Sequence, residues 1–196
     1  MGTSASLTET GVHRDERSRG LVLVATMAAL MWAVEVVDLF AGDLDAAGIA
    51  PRDPGGLVGI ALAPFLHGGF GHLIANTIPF LILGATVALG GLARVVAVSV
   101  IVAVVGGLAT WLLAPAGTVH IGASGLVLGY ATYLLVRGLF TRRALHLAVG
   151  LVVLVVYGAT LLLSLVPTTG VSWQGHVFGA VGGIVAARLV HRSRRG

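Results

Sequence analysis

The chain has 196 residues, 57% of them hydrophobic and only 10% charged, with a mean hydropathy of +0.99 and no cysteine. A soluble domain of this size carries about a quarter charged residues, so an ordinary soluble fold is excluded, as are disulfides and thiolate chemistry, and a multi-pass membrane protein is implied. The net charge of +4 comes from twelve arginines and no lysine. These arginines flank apolar runs, which makes them topology signals rather than a surface for nucleic acid.

Residues 1–19 are polar, with Arg14, Arg17 and Arg19 just before the first apolar run, and are expected to form a disordered N-terminal segment. The run 21–40 is too long for a signal peptide, carries Glu35 and Asp38, and is followed by no clean small-residue cleavage site. It is therefore read as the first span. Further spans are expected over 72–90, 93–114, 121–138, 144–166 and 172–190, each near the ~20 residues that cross the hydrocarbon core. The expected architecture is an all-α membrane domain over 20–190 with six transmembrane helices and a basic tail at 191–196.

Six spans put both termini on one side. Every arginine except Arg52 then falls on that side, while Arg52 shares the other with Asp43, Asp45 and Asp53. The positive-inside rule makes the termini cytoplasmic in a cell membrane. The connection 41–71 is then extracytoplasmic. Its second half, Gly55-Gly56-Leu57-Val58-Gly59-Ile60 through Phe65 and Phe70, is too apolar for an exposed loop and too glycine-broken to span. It is expected to lie in the outer interface. The other outer connections, near 115–120 and 167–171, are short and carry no full charge.

The second, fourth and sixth spans run from outside to inside, so their N-terminal ends share the outer face. His72 and Asn76 begin the second, Ser124 begins the fourth and His176 begins the sixth. Polar groups inside lipid-length segments are costly and mark functional sites. Spacing of four puts His72 and Asn76 on one helix face. Gly125 and Gly129 on the fourth span, and Gly175, Gly179 and Gly183 on the sixth, make small-residue faces that let helix backbones approach closely. A serine and an imidazole need such approach, because general-base activation requires about 2.6–3.2 Å between them.

Gly122-Ala123-Ser124-Gly125 resembles the GxSG motif of rhomboid intramembrane proteases, in the six-helix core form found in bacteria. His176, followed by glycines at 179 and 183, is similar to the sixth helix of that family, and His67 with His72-Leu73-Ile74-Ala75-Asn76 to its second-helix motif. The resemblance covers roughly 20–190. It implies a rhomboid-like bundle in which Ser124 is the nucleophile and His176 its general base, a dyad with no buried acid. Glu35 and Asp38 are then interfacial charges. The His72 and Asn76 side chains and the Ser124 backbone N–H would meet the oxyanion, with His67 as possible support from the loop and Gly122, Gly125, Gly179 and Gly183 as supporting glycines. The implied substrates are single-span membrane proteins, cleaved at the outer face.

The chain departs from the family in two places. Where many rhomboids carry a Trp-Arg pair in the first outer loop, it reads Gly56-Leu57-Val58-Gly59-Ile60; where some carry a tyrosine against the catalytic histidine, it has Leu128. Orientation of His176 must come from elsewhere, Tyr130 and Trp173 being two candidates. His120 reads equally as a site or a loop residue, and His13, His146 and His191 as headgroup-level residues. His67, His72 and His176 lack the carboxylate or His-Glu helix motif of a metal site, so no metal and no cofactor is expected. The bilayer is the surrounding medium, and the oligomeric state is open. Two other classes compete with the protease. A non-catalytic rhomboid-like protein that escorts membrane clients usually lacks the serine or the histidine; a channel or transporter would show a row of ionisable residues or an inverted repeat.

Overall fold

The computed structural model describes residues 3–164, 166 and 172–192. Its long helices are α1 (Thr3–Ala41), α3 (Phe70–Ala88), α4 (Leu92–Leu113), α5 (Ser124–Thr141), α6 (Ala144–Ser164) and α7 (Trp173–Arg192), with one short turn, α2 (Gly59–Leu62), between α1 and α3. The described residues contain no strand, only one antiparallel bridge between Ile49 and His120. The connection at 167–171 and the last residues of the basic tail, 193–196, lie outside the described residues.

Among the described residues, three stretches are long and apolar enough to cross a membrane, Arg14–Ala41, Phe70–Ala88 and Leu92–Leu113. The α5 helix is less apolar because glycines, tyrosines and Arg137 stand where aliphatic residues would. Outward faces are nonetheless aliphatic: Leu145, Val155 and Leu162 of α6 are 72%, 76% and 70% exposed. So much exposed hydrocarbon needs lipid around it. The molecule is a helical, multi-pass membrane protein.

The expected disordered segment is replaced by helix, since α1 begins at Thr3. Arg19 pairs with Asp15 one turn earlier at 2.8 Å, a contact that supports the helix where it leaves the polar stretch. Glu35 also differs from expectation. It is buried, 5% exposed, rather than an interfacial charge, and it lies near Asp45 of the first loop and the Gly69 backbone just before α3. Asp38 stays at the helix end and accepts the Leu44 N–H at 2.7 Å.

Helix α5 is the centre of the bundle, touching α3, α4, α6 and α7. Its closest partner is α7, and the glycines explain why. A Cβ on Gly179 would lie 2.8 Å from the Gly125 Cα, and one on Gly183 would collide with the Gly129 carbonyl. Thr132 Oγ1 crosses the same seam to the Ala180 carbonyl at 2.8 Å. On the far side of α7 a Cβ on Gly182 would come within 2.9 Å of the Val102 backbone of α4. Phe80, Tyr130, Tyr133 and Leu83 fill the remaining core.

The first loop folds into short turns, Leu44–Ala47, Pro54–Leu57 and Ala63–Phe65, around α2. It is fastened to α4 by the Arg52 N–H on the Trp111 carbonyl, 3.0 Å, and by Trp111 Nε1 donating to the Asp53 carbonyl, 2.8 Å. Ile60 packs so tightly on Gly107 that a Cβ there would meet it at 2.6 Å.

Candidate active site

Ser124 is the first residue of α5, and His176 lies in the first turn of α7. The glycine seam brings His176 Nε2 to 2.8 Å from Ser124 Oγ. A hydroxyl and an imidazole at that distance can exchange a proton directly. Being first in its helix, Ser124 has a backbone N–H with no partner inside the helix, in the positive field of the helix N-terminus.

The turn before the serine is built by its neighbours. Gly122 has φ +106°, a conformation closed to L side chains, and a Cβ there would also meet the His72 ring at 2.7 Å. Its N–H donates to the Ala63 carbonyl at 2.8 Å, and the Ala123 N–H donates to His67 Nε2 at 3.3 Å. His67 is therefore a structural acceptor beneath the nucleophile turn. Burial, aided by the nearby His72, lowers its pKa to about 4, so at neutral pH the ring is uncharged and Nε2 is free to accept.

His72 is placed edge-on to His67, with ring centroids 5.1 Å apart. The Gly68 N–H approaches His72 Nδ1 at 3.4 Å. With Nδ1 accepting, a neutral His72 carries its proton on Nε2. That nitrogen and Ser124 Oγ both lie within 4 Å of the point where Gly122 lacks a Cβ, so the two border the same space. Asn76 is buried, and its Nδ2 donates to the His72 carbonyl at 2.9 Å. One amide hydrogen of Asn76 is thus spent within α3, leaving the second for another acceptor.

Sequence reasoning left His120 open and missed Ser172 and Thr118. His120 is buried, and its backbone exchanges two 3.0 Å hydrogen bonds with Ile49. Thr118 Oγ1 donates to the Pro115 carbonyl at 2.6 Å, so it accepts from His120 Nε2 at 2.9 Å. His120 Nδ1 must then accept from Ser172 Oγ, 2.6 Å away. Burial lowers the His120 pKa, which keeps the ring neutral and fit for this pattern. The Ser172 carbonyl in turn accepts the His176 N–H at 3.1 Å. The signal in the sequence was Ser172 just before Trp173, a helix-start position that favours serine.

Tyr130 is fully buried against Phe80 and bonds Ser99 Oγ at 2.6 Å. Trp173 opens α7, half-buried, with no described contact to the ring. His146, near the start of α6, is half-buried and bonded to Arg137 and Thr141. A cavity of about 50 Å³ lies beside Ser124, walled by Ile60, Ala63, Gly106, His120, Gly175 and Gly179 among others.

The fold and the site together define a helical membrane protein with a serine–histidine pair set between its helices. Comparison with known proteins gives the family: residues 54–193 match the Rhomboid domain, and the chain belongs to the rhomboid family. The match takes in the loop from Pro54 and all helices from α2 to α7. Rv1337 of Mycobacterium tuberculosis, named as an uncharacterized protein, is 46% identical over 186 residues, covering 90% of this chain and 77% of its own length. ML1171 of Mycobacterium leprae, likewise named uncharacterized, is 45% identical over the same length, covering 90% and 73%. The Bacillus subtilis protein named "Putative rhomboid protease YdcA" is 28% identical over 125 residues, 63% of this chain and 62% of its own.

Proposed function

We propose that the protein is an intramembrane serine endopeptidase that hydrolyses peptide bonds in or near transmembrane segments of single-span membrane proteins. The observation that carries this reading is the 2.8 Å contact between His176 Nε2 and Ser124 Oγ. Six crossings, with cytoplasmic termini and the first loop in the outer interface, set the site to open on the extracytoplasmic side. The arginine distribution supports that orientation, and the exposed Leu57, Val58 and Leu62 support the placement of the loop.

In the reaction Ser124 Oγ attacks the scissile carbonyl carbon while its proton passes to His176 Nε2. The carbonyl oxygen becomes an oxyanion, met by the Ser124 N–H, His72 Nε2–H and the second Asn76 amide hydrogen. His176 then gives its proton to the departing amine. Water enters, loses a proton to His176, attacks the acyl ester and releases the new carboxyl end, and Ser124 recovers its proton. Loss of one oxyanion donor typically costs about 10²–10³ in rate. The dyad has no carboxylate, so ring orientation rests on packing and on the backbone of α7.

Reconstitution with a single-span test substrate checks the proposal. Wild type should cleave it, while Ser124→Ala and His176→Ala should lose activity by roughly 10⁴-fold or more. A serine-directed fluorophosphonate should label Ser124 only when His176 is intact. Cleavage persisting in either variant would overturn the dyad. Failure of wild type to cleave a broad panel or to take the label would favour the client-escort alternative.

A further inference from the structure

Among the described residues Glu35 is the only buried carboxyl group, and it sits inside a membrane-length stretch of α1. Its Oε2 has no hydrogen-bond partner among them. The described charges acting on it, Asp45 and Asp38, are of its own sign. Taking a carboxyl group out of water without full hydrogen bonding is costly, and an apolar side chain of the same size often serves stability better. An ionisable residue kept inside a span on those terms points to function. The reaction above makes no use of it.

The Gly69 backbone N–H donates to Glu35. It shares the same hydrogen with the His67 carbonyl, 2.9 Å away, a three-centre arrangement common at helix ends. Gly69 is the cap residue of α3, with φ +106° and no side chain to accept from the first turn. In a capping box, a Glu or Gln three residues after the cap reaches back to the cap's N–H. Three residues after Gly69 stands His72, whose ring lies against Gly122 beside Ser124. A site residue thus occupies the position of the usual partner, and the partner comes from another helix.

One turn earlier on α1, Trp32 Nε1 donates to Thr77 Oγ1 at 3.1 Å, and its ring centroid lies 6.0 Å from that of Phe70. Trp32 and Glu35 are three apart and share one face of α1. Together they fix α3 at Gly69, Phe70 and Thr77, the stretch that carries His72 and Asn76. We infer that Glu35 is a positioning residue for the oxyanion donors: its carboxyl oxygen accepts the Gly69 N–H, sets the start of α3 and so places His72 and Asn76. The role rests on the protease reading. It requires an acceptor at this place rather than a charge, so the amide oxygen of a glutamine can fill it and an apolar side chain cannot.

The test uses the full chain purified in detergent, with three readouts on the same samples. These are fluorophosphonate labelling of Ser124 alongside kcat and KM for a single-span substrate, the unfolding midpoint, and the His72 signal in NMR spectra of histidine-labelled protein, assigned by its loss in His72→Asn. Glu35→Met should label about tenfold more slowly, less than the 10²–10³ typical of removing a donor outright, with kcat lowered and KM little changed. Its His72 signal should move. Its midpoint should match or exceed that of wild type, because a buried unpartnered oxygen is gone. Glu35→Gln should recover labelling to within about twofold and leave the His72 signal in place. Val37→Met, on an exposed face of α1, should change nothing. If Glu35→Met does not fold, Glu35→Leu carries the same expectation, and failure of both to fold would make the role structural and overturn the inference. Wild-type labelling with an unmoved His72 signal in a folded apolar variant would overturn it too, as would Glu35→Gln labelling as slowly as Glu35→Met. If wild type neither labels nor cleaves, the protease reading fails by itself. The His72 signal, moved in Glu35→Met and unmoved in Glu35→Gln, would then still uphold the placement of α3, and an unmoved signal in both would overturn it.

Discussion

A hydrogen bond brings His176 to Ser124 but does not by itself hold the ring in one direction. Leu128 cannot supply the polar or aromatic restraint that a tyrosine gives in some rhomboids, and Tyr130 is committed to Ser99. The chain Thr118–His120–Ser172 is one restraint that the described residues offer. It ties the loop that ends in Ser124 to the residue whose carbonyl receives the His176 N–H. Ser172→Ala should therefore lower kcat about tenfold with KM little changed, since small misplacements of reacting groups cost rate rather than binding. Ser172→Thr, which keeps the hydroxyl, should recover most of it. Steady-state cleavage and the rate of fluorophosphonate labelling check this. Labelling of Ser172→Ala at the wild-type rate would show that His176 is oriented without this link.

Among the elements, α5 and α7 depend on each other most. Their backbones meet through Gly125, Gly129, Gly179 and Gly183, and no side chain larger than hydrogen fits at the last two without displacing α5. Gly183→Val should destabilise the fold by about 1–3 kcal/mol, the usual range for overpacking, and should abolish activity by parting the dyad. Gly71→Ala is the matched control, because a Cβ at Gly71 meets nothing within 4 Å. Thermal unfolding in detergent measures both, and equal midpoints for the two variants would refute the close-packing account. Much of this was legible in the sequence. Long apolar runs set the helix positions, and polar residues at one depth on alternate spans picked out Ser124, His176 and His72. What was hidden depends on groups far apart in the chain. The helical start of α1 is supported by a charge pair, Arg19 with Asp15, that compositional polarity obscured. Glu35 looked like a surface charge because nothing local says that its face of α1 meets Asp45 and the Gly69 backbone. His120 and Ser172 are 52 positions apart, and no periodicity links a loop histidine to the start of a later helix.

At the scale of the whole molecule, the site at one end and Arg94, Arg142 and Arg143 at the other give the bundle a polarity that the membrane must respect. Helix α5 has 18 residues, which at about 1.5 Å per residue reach roughly 27 Å, close to the ~30 Å hydrocarbon core. It can therefore cross, and if it does the connection before it and the turn after it lie on opposite sides. The chain has no cysteine, so single cysteines introduced at exposed positions report their own side without background. Arg14→Cys marks the start of the first candidate span within α1, Ala116→Cys the α4–α5 connection and Ala144→Cys the start of α6. All three positions are solvent-exposed and outside the site. A membrane-impermeant maleimide added to intact cells should label only Ala116→Cys, and permeabilisation should admit label to the other two. Labelling of Ala144→Cys from outside would mean that α5 does not cross, and the six-span topology would fail with it. Reversal of all three would keep the number of crossings but turn the site toward the cytoplasm, against the arginine distribution. Because Ser124 begins α5, the side that labels Ala116→Cys is also the side from which water reaches the dyad.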